Sequence, residues 1–425
     1  VLILNLSIAV GFYIDGKSAS VTDISSDLAN IIPVCLKLDN PELFKNDLYL
    51  NDLNNVKYYT PVFVELVRFS AKIFDGNYLL GLNFLGAVSH LVYGLLWFLF
   101  FYTLKKDFWL ALLFSLFFRG ILWPPGGELF GISDLWTIMP RTIFISLAPI
   151  PFLLYSYLKK FRMFFAALSL GLILNFHPIS GIGLAACYFS FYFYYAIFHS
   201  TQNTKLIWTN FLIATFGFLI GMLPYLLVYF LNVKGQPFDQ TLYELAFHKR
   251  LGYSFSDPLT FITQWHRPIL YFFGLLFLCF YFFDTSKNKF LFKSLAFAAL
   301  FVFFIANLSV YVESFVNNLL GLNLRLSFQL IRFQKFIIVI FQIGTYLVLF
   351  EVFKRFCIST KLKQGLLLVF LLLCSISFVS PFSKLPLIGD DLMSSILPNC
   401  FMVEPRIDYT NVSSLSELIS YIKTN

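Results

Sequence analysis

The sequence contains little charge. Asp, Glu, Lys and Arg make up 13% of its 425 residues, whereas a soluble globular domain carries about 25%. Hydrophobic residues make up 58% and aromatic residues 20% of the chain. This balance excludes an ordinary soluble domain and indicates a protein whose surface lies largely in lipid.

The motifs of several common enzyme classes are also missing. The chain has no GxxxxGK[ST] loop, no GxGxxG turn, no HExxH helix, no CxxC pair and no GxSxG turn. No pattern therefore points to nucleotide binding, zinc proteolysis or a hydrolase triad, and no motif assigns metal ligands. The net charge of +8 lies in loops between apolar runs, which favours basic loops at a membrane face over a nucleic-acid partner.

Apolar runs, in contrast, recur along nearly the whole chain, and most could cross about 30 Å of hydrocarbon as helices. They do not alternate apolar and polar residues, as the strands of a membrane barrel do. The sequence predicts an all-α fold, a polytopic transmembrane bundle of about eleven spans. The predicted spans are 1–14, 78–104, 107–122, 142–158, 163–176, 179–198, 206–231, 268–284, 290–312, 334–353 and 364–381.

The basic clusters give the bundle an orientation. If span 1–14 runs outward, every short cluster falls on one side, which the positive-inside rule assigns to the cytoplasm. These clusters are Lys105-Lys106, Lys159-Lys160 with Arg162, Lys205, Lys287 with Lys289 and Lys293, Lys354-Arg355, and Lys361 with Lys363. We therefore predict a multi-pass membrane protein with its long loops and C-terminus extracytoplasmic. The abundance of Phe, Ile, Asn and Lys suggests an AT-rich bacterial genome, so we expect the bacterial inner (plasma) membrane.

We divide the chain at the end of the last span. Residues 1–381 form the predicted membrane module, with large outer loops at 15–61 and 232–267, and 382–425 begin an extracytoplasmic C-terminal domain. The chain starts at Val1 within an apolar segment and stops at Asn425 within a predicted helix, so we expect it to be a piece of a longer protein.

The first outer loop is rich in acids. Asp23 is placed to cap a short helix that has its apolar positions on one face and is limited by Pro33, with Asp27 on the wet flank. A carboxylate at the membrane boundary is well placed to act as a general base, although for any single acid a merely solvating role is the simpler alternative. The segment 62–74 carries Glu65, Arg68 and Lys72 on one face, which is typical of an interfacial helix.

Several cations lie in segments that we predict to be outside. The positive-inside rule places most Lys and Arg in the cytoplasm, so these outer cations need an explanation. Arg141 begins a predicted span, and Arg325, Arg332 and Lys335 precede or open another. An anionic ligand is the simplest partner for them, and snorkelling to headgroups is the alternative for Arg141. His177-Pro178 marks an outer turn with Gly181 close behind it, where the histidine could bind the same anion or cap the next helix.

These features together resemble the polytopic membrane glycosyltransferases of the GT-C fold class and their uncharacterised bacterial relatives. The resemblance rests on the acidic first loop, the Pro140-Arg141 step, the His177-Pro178 turn, the Gln-x-x-Arg pattern ending at Arg332, and the tail SLSELISYIKTN. It covers most of the chain through short motifs. The first loop lacks the adjacent pair of acids that many members carry there.

The resemblance implies a sugar transfer at the extracytoplasmic face from a polyprenyl-phosphate donor to an acceptor that the sequence does not name. Asp27 matches the first-loop acid best, with Asp23 as its rival and Asp47 as a second acid. Such an acid acts as base or as ligand of a divalent metal, the one cofactor left open. Arg141 and Arg332 match the cations that hold the lipid phosphate, with His177 and Arg325 beside them.

Two other classes of protein remain alternatives. A transporter or flippase of a lipid-linked substrate would use the same arginines and would need polar residues deep in the bundle, where His90, Asn210, Asn307 and Gln342 are the main candidates. A non-catalytic membrane assembly protein would use the outer charges only as surface ion pairs. Replacing Asp27 by Asn separates the three, since only an enzyme would lose transfer while it stays folded.

Overall fold

The structure is a computed structural model in which the described residues are 1–17, 28–53, 61–120, 122–123, 128–129, 132, 138–198, 204–232, 241–242, 245, 289–320, 330–384 and 396–404. Helices account for nearly all regular structure in these ranges. They are α1 (Leu2–Lys17), α2 (Leu28–Asp39), α3 (Pro61–Ile73), α4 (Tyr78–Lys105), α5 (Phe108–Phe117), α6 (Pro140–Leu147), α7 (Ile150–Tyr157), α8 (Arg162–Leu174), α9 (Pro178–Phe198), α10 (Thr204–Gly221), α11 (Leu223–Asn232), α12 (Lys289–Leu320), α13 (Lys335–Arg355) and α14 (Thr360–Ser375).

Short elements complete the described structure. Strand β1 (Leu122–Trp123) pairs antiparallel with β2 (Glu128–Leu129), and 3-10 turns cover Phe118–Gly120, Ile331–Gln334, Phe382–Lys384 and Asn399–Phe401. Apart from this two-residue pairing, the predicted all-α class is confirmed for the described part of the chain.

Four helical segments in the described ranges are long and apolar enough to cross a membrane. They are Tyr78–Lys105, Pro178–Phe198, Lys289–Val316 and Ile331–Arg355. Segments Phe108–Gly120, Arg162–Leu174 and Lys205–Gly221 are apolar but shorter. A membrane protein is therefore supported, whereas the number of about eleven spans stays a prediction, and span 268–284 lies outside the described residues.

Two predicted spans are divided because proline interrupts them. The predicted span 142–158 consists of α6 and α7, and α7 begins directly after Pro149. The predicted span 206–231 is divided in the same way into α10 and α11, with Pro224 at the start of the second helix. Proline lacks the N–H that would bond to the preceding turn, so a continuous apolar run need not be a continuous helix.

The face of α12 that points away from the rest of the bundle carries exposed apolar side chains over most of its length. Leu300, Phe304, Leu308, Tyr311 and Phe315 follow one another at helical spacing, and their exposed fractions range from 46% to 66%. The stripe continues to Leu319, and the helix rises about 28 Å from Leu300 to Leu319, close to the thickness of a bilayer core. Such a stripe is typical of a lipid-facing surface.

The lysine-rich ends of the helices lie together at one end of the bundle, which we call the lysine-rich end. There the ends of α4 and α7 meet, since Thr103 Oγ1 lies 2.7 Å from the Tyr157 hydroxyl. The starts of α5 and α14 are joined by an ion pair between Asp107 and Lys363. In these helices the basic clusters thus lie at one end of the bundle, and the side of a membrane that this end faces stays a prediction.

The first outer loop forms a small apolar layer of its own. Helices α2 and α3 pack together through Val34, Cys35, Phe63 and Val67 against the start of α4. The expectation that Pro33 limits the helix is wrong, because α2 continues through it to Asp39. A proline one and a half turns inside the helix removes a single hydrogen bond, and burial of the neighbouring apolar face offsets that loss.

Candidate functional site

Three helices begin close together at the end of the bundle opposite the lysine-rich end, a place that we call the helix junction. They are α6, α9 and the turn Ile331–Gln334 that leads into α13. The ring of Phe144 in α6 lies 6.4 Å from the ring of His177 and 6.4 Å from that of Phe336. Helix N-termini carry partial positive charge, so their meeting creates a region that favours anions.

The helix junction also gathers positively charged side chains. Arg141, Arg332 and Lys335 all act electrostatically on His177. Arg141 and Arg332 are partly exposed, while Lys335 is buried, with 2% of its surface accessible. Arg141, Arg332 and Lys335, three of the cations that the sequence places on the outer side, therefore lie near His177. That they bind one anionic ligand stays a prediction.

Gln334 is a polar residue of the junction that the sequence did not point to. Its side chain is fully buried at the N-cap position of α13. Within the described ranges neither its amide nitrogen nor its amide oxygen has a hydrogen-bond partner. Burying an unpaired amide is costly, so this position fits a ligand that completes the hydrogen bonds.

His177 holds the start of α9. Its Nδ1 accepts a hydrogen bond of 3.2 Å from the backbone N–H of Ser180, which is the geometry of a helix cap. This bond requires an unprotonated Nδ1 and leaves the proton of the neutral ring on Nε2. Burial, together with the charges of Lys335, Arg141 and Arg332, lowers the pKa of His177 well below its ordinary value.

The neighbouring Asn175 ties the same turn to another part of the bundle. Its amide nitrogen donates to the carbonyl oxygen of Gly221 at 2.9 Å, and its amide oxygen accepts from the backbone N–H of Tyr225 at 2.9 Å. The polar residues of the Asn175–Gly181 stretch therefore serve two purposes. Asn175 fixes the corner between α10 and α11, and His177 caps α9 within the junction.

An apolar cavity of about 260 Å³ lies between α4, α6, α7, α9, α12 and α13. Phe336 and Ile145 belong to its wall, and both come from helices that start at the junction. From there the cavity extends to Thr103 and Ser156 near the lysine-rich end. A ligand with its anionic head at the junction and its hydrocarbon part in the cavity would find both kinds of surface.

The acids predicted for catalysis do not all appear in the described part. Asp23 and Asp27 lie outside the described residues, and so does Arg325. Asp47 is described and fully exposed, and its carboxylate accepts from the backbone N–H groups of Tyr49 and Leu50 at 2.8 Å each. These bonds lower the pKa of Asp47, so it is a carboxylate at neutral pH that fixes a turn in the first loop.

A second charged group lies between the first loop and α4. Arg68 binds Asp39 through Nε at 2.8 Å and Nη2 at 2.7 Å, and Tyr78 donates to the same carboxylate. Partial burial works to raise the pKa of Asp39, but the hydrogen bonds from Arg68 and Tyr78 outweigh it and lower the pKa. This group ties α2 and α3 to the start of α4.

The interior of the bundle contains a polar cluster that the sequence did not assemble. Arg119 is buried, and its guanidinium donates to Asn5 Oδ1 at 2.8 Å, to His90 O at 2.9 Å and to His90 Nδ1 at 3.0 Å. The ring of Phe12 stacks on His90 with centroids 3.8 Å apart. A buried arginine whose hydrogen-bond partners are all uncharged is unusual inside a membrane bundle, where charges mark functional positions.

In the described ranges, no group of three or more His, Cys, Asp and Glu side chains could hold a metal ion. Comparison of the chain with family models, with curated proteins and with solved structures found no match.

Proposed function

We propose that the chain is a membrane glycosyltransferase of the GT-C type, which transfers a sugar from a polyprenyl-phosphate donor. The observation that carries this proposal is the meeting of Arg141, His177, Arg332 and Lys335 at three helix N-termini, beside an apolar cavity. This arrangement suits a phosphate attached to a long hydrocarbon chain.

In the proposed reaction the cations and an acid have different roles. The bond between the sugar and the donor phosphate breaks while a bond from the acceptor oxygen to the sugar forms. Arg332, Arg141 and Lys335 stabilise the charge on the departing lipid phosphate, and His177 donates a hydrogen bond from Nε2. Asp27, with Asp23 as its rival and Asp47 as a second acid, takes the acceptor's proton or holds a divalent metal.

The proposal also fixes the placement of the chain. About eleven spans cross a bacterial plasma membrane, the lysine-rich end faces the cytoplasm, and the helix junction faces the extracytoplasmic side. The first loop, held to α4 through Asp39 and Arg68, then lies on the same side as the junction.

Turnover of the donor tests the proposal. Membrane vesicles with the full chain are supplied with polyprenyl-phosphate hexoses and pentoses, and release of polyprenyl phosphate is measured. Arg332→Ala should lower release about a hundredfold, because a preorganised charge is lost from the transition state. Arg355→Ala, an exposed cation at the lysine-rich end, is the matched control and should leave release unchanged. Equal rates in all three proteins would refute the assignment.

A transporter of lipid-linked substrates is the second candidate, favoured by the buried cluster of Arg119, His90 and Asn5. Substrate movement would then depend on Arg119 without any bond being broken. Asp27→Asn distinguishes the candidates, since transfer is lost in an enzyme whereas substrate binding survives in a transporter. If binding and release are absent from the wild type as well, a non-catalytic assembly protein remains.

A further inference from the structure

Two cavities flank Arg162 at the lysine-rich end, far from the helix junction. One has a volume of about 270 Å³ and reaches α10, and the other has about 330 Å³ and reaches α12. Tyr155, Arg162, Met163 and Tyr192 belong to the walls of both. The two cavities thus adjoin on either side of a single guanidinium, at the point where α7, α8 and α9 meet. We call the two cavities together the recess.

A buried hydroxyl of this recess has no hydrogen-bond partner. Tyr188 is only 5% exposed and lines the larger cavity, and its hydroxyl is unpaired within the described ranges. Tyr192, one turn further along α9, instead donates to the carbonyl oxygen of Ile207 at 2.5 Å. An unpaired buried hydroxyl costs free energy, so the Tyr188 hydroxyl points to a hydrogen-bonding ligand in the cavity.

Two cations line the recess, and they also favour a hydrogen-bonding ligand that is negatively charged. Arg162 is the first residue of α8, its guanidinium lies 4.6 Å from the centre of the Tyr155 ring, and it acts electrostatically on Tyr188. Lys159 lines the smaller cavity. In the described part of the chain neither cation pairs with a carboxylate. Cations at a helix N-terminus oppose the helix dipole, and a bound anion relieves that repulsion.

Apart from Ser294, the remaining wall of the larger cavity is apolar and includes Phe152, Phe191 and Leu291. A ligand that meets a cation, a hydroxyl donor and apolar side chains in one recess is amphipathic. Basic pockets between membrane helices on the side of the basic loops are typical binding places for anionic headgroups.

We propose that this recess binds an anionic phospholipid of the leaflet at the lysine-rich end. Arg162 and Lys159 hold the phosphodiester, Tyr188 donates its hydroxyl proton to a phosphate oxygen, and an acyl chain lies against Phe191 and Leu291. The recess shares the wall residues Phe152, Tyr155, Phe191 and Leu291 with the apolar cavity that reaches the helix junction. Its cations lie at the opposite end of the bundle, and the proposal does not depend on the glycosyltransferase proposal.

Native mass spectrometry of the full chain tests the site with phosphatidylglycerol and, as the neutral control, phosphatidylcholine. The wild type should retain phosphatidylglycerol in preference. Arg162→Ala should weaken this binding about fivefold, the usual effect of one cation near an anionic headgroup. Tyr188→Phe should weaken it by about the same factor through one lost hydrogen bond. Arg355→Ala, exposed at the same end but outside both cavities, should bind as the wild type does.

Thermal unfolding separates the lipid site from a structural role of Tyr188. Without anionic lipid, Tyr188→Phe should be at least as stable as the wild type, because it removes an unpaired hydroxyl. The rise in melting temperature on adding phosphatidylglycerol should be reduced in Tyr188→Phe and Arg162→Ala but kept in Arg355→Ala. Equal losses in Arg162→Ala and Arg355→Ala would reduce the effect to general surface charge. Equal stabilisation by inorganic phosphate would show that the site binds a free anion and not a lipid. Either of these two results would overturn the proposal.

Discussion

His177 combines a structural bond and a free donor in one ring. Its Nδ1 caps α9 through Ser180, while Nε2 remains for a ligand. The sequence predicted both the cap and the ligand as alternatives for this histidine, and the geometry allows both at once. A cap that depends on a neutral ring makes the start of α9 sensitive to pH.

Substitution at His177 separates these two tasks. His177→Ala should lower the free energy of unfolding by about 1 kcal/mol because the cap is lost, and His177→Asn should keep most of it because Asn also caps. In the proposed enzyme both variants should lose transfer, since neither has the Nε2 donor. Thermal unfolding in detergent and donor turnover provide the two measurements. Full transfer in His177→Asn would exclude a role of His177 at the phosphate.

The lowered pKa of His177 also predicts a pH dependence of stability. Below the ordinary histidine pKa of about 6.5, the unfolded chain binds a proton that the folded chain refuses, so folding stability falls as the pH falls. The wild type should therefore lose more stability than His177→Asn between about pH 7.5 and pH 5.5. Parallel curves of melting temperature against pH would contradict this.

Arg119 shows what the sequence leaves open at the residue scale. The chain order gives no sign that Asn5, His90 and Arg119 meet, because the three belong to separate helices and turns. Arg141, Arg332 and His177 could be grouped beforehand because each stands at a predicted helix start on the same side. A residue inside an apolar run carries no such positional information.

Loss of the Arg119 guanidinium should destabilise the bundle. Arg119→Met leaves Asn5 Oδ1 and His90 without their donor, which should cost about 1–3 kcal/mol. Arg355→Met, at an exposed position, should stay within about 0.5 kcal/mol of the wild type. Unfolding in detergent measures both, and equal stability of the two variants would show that the buried cluster does not hold the helices together.

Helices α8 and α10 pack at very short distance along a seam of glycines. A Cβ on Gly221 would lie 2.2 Å from the carbonyl oxygen of Leu168, and one on Gly217 would lie 2.7 Å from that of Phe164. The spacing Gly-x-x-x-Gly is typical of such helix pairs in membranes. The Gly-x-x-x-Gly spacing is visible in the sequence. The division of two predicted spans into α6–α7 and α10–α11, in contrast, could not be predicted from apolarity alone.

Adding one methyl group tests the seam. Gly221→Ala should destabilise the protein by about 1–3 kcal/mol, because the methyl group meets rigid backbone of α8. Gly86→Ala in α4, where a Cβ meets nothing within 4 Å, should be neutral or stabilise by up to about 1 kcal/mol. Thermal unfolding of the two variants in the same detergent is the comparison. Equal effects would mean that the short distance between α8 and α10 is not required.

At the scale of the whole molecule, two cysteines mark opposite ends of the bundle. Cys357 is exposed just after α13 at the lysine-rich end. Cys400 is exposed in the segment 396–404, which packs on α1 through a hydrogen bond of 2.7 Å from the Asn399 N–H to Asp15. The basic clusters predict which end faces the cytoplasm, and these two thiols make that orientation measurable.

A membrane-impermeant maleimide applied to intact cells should label Cys400 and spare Cys357 until the membrane is permeabilised. Partial burial and the neighbouring Asp15 raise the pKa of the Cys400 thiol, so the reaction is run at mildly alkaline pH. Peptide mass mapping identifies the labelled thiol, with Cys400→Ser as control. Labelling of Cys357 alone on intact cells would invert the orientation and place the helix junction in the cytoplasm.

The central claim is that the helix junction is a binding site for a lipid phosphate. The most direct test is an electron cryo-microscopy map of the full chain in nanodiscs with added polyprenyl phosphate. We expect density for the phosphate between Arg141, His177 and Arg332, with the hydrocarbon chain continuing along the apolar surface next to Phe336. Phosphate density elsewhere in the protein, with the junction filled by its own side chains, would contradict the claim.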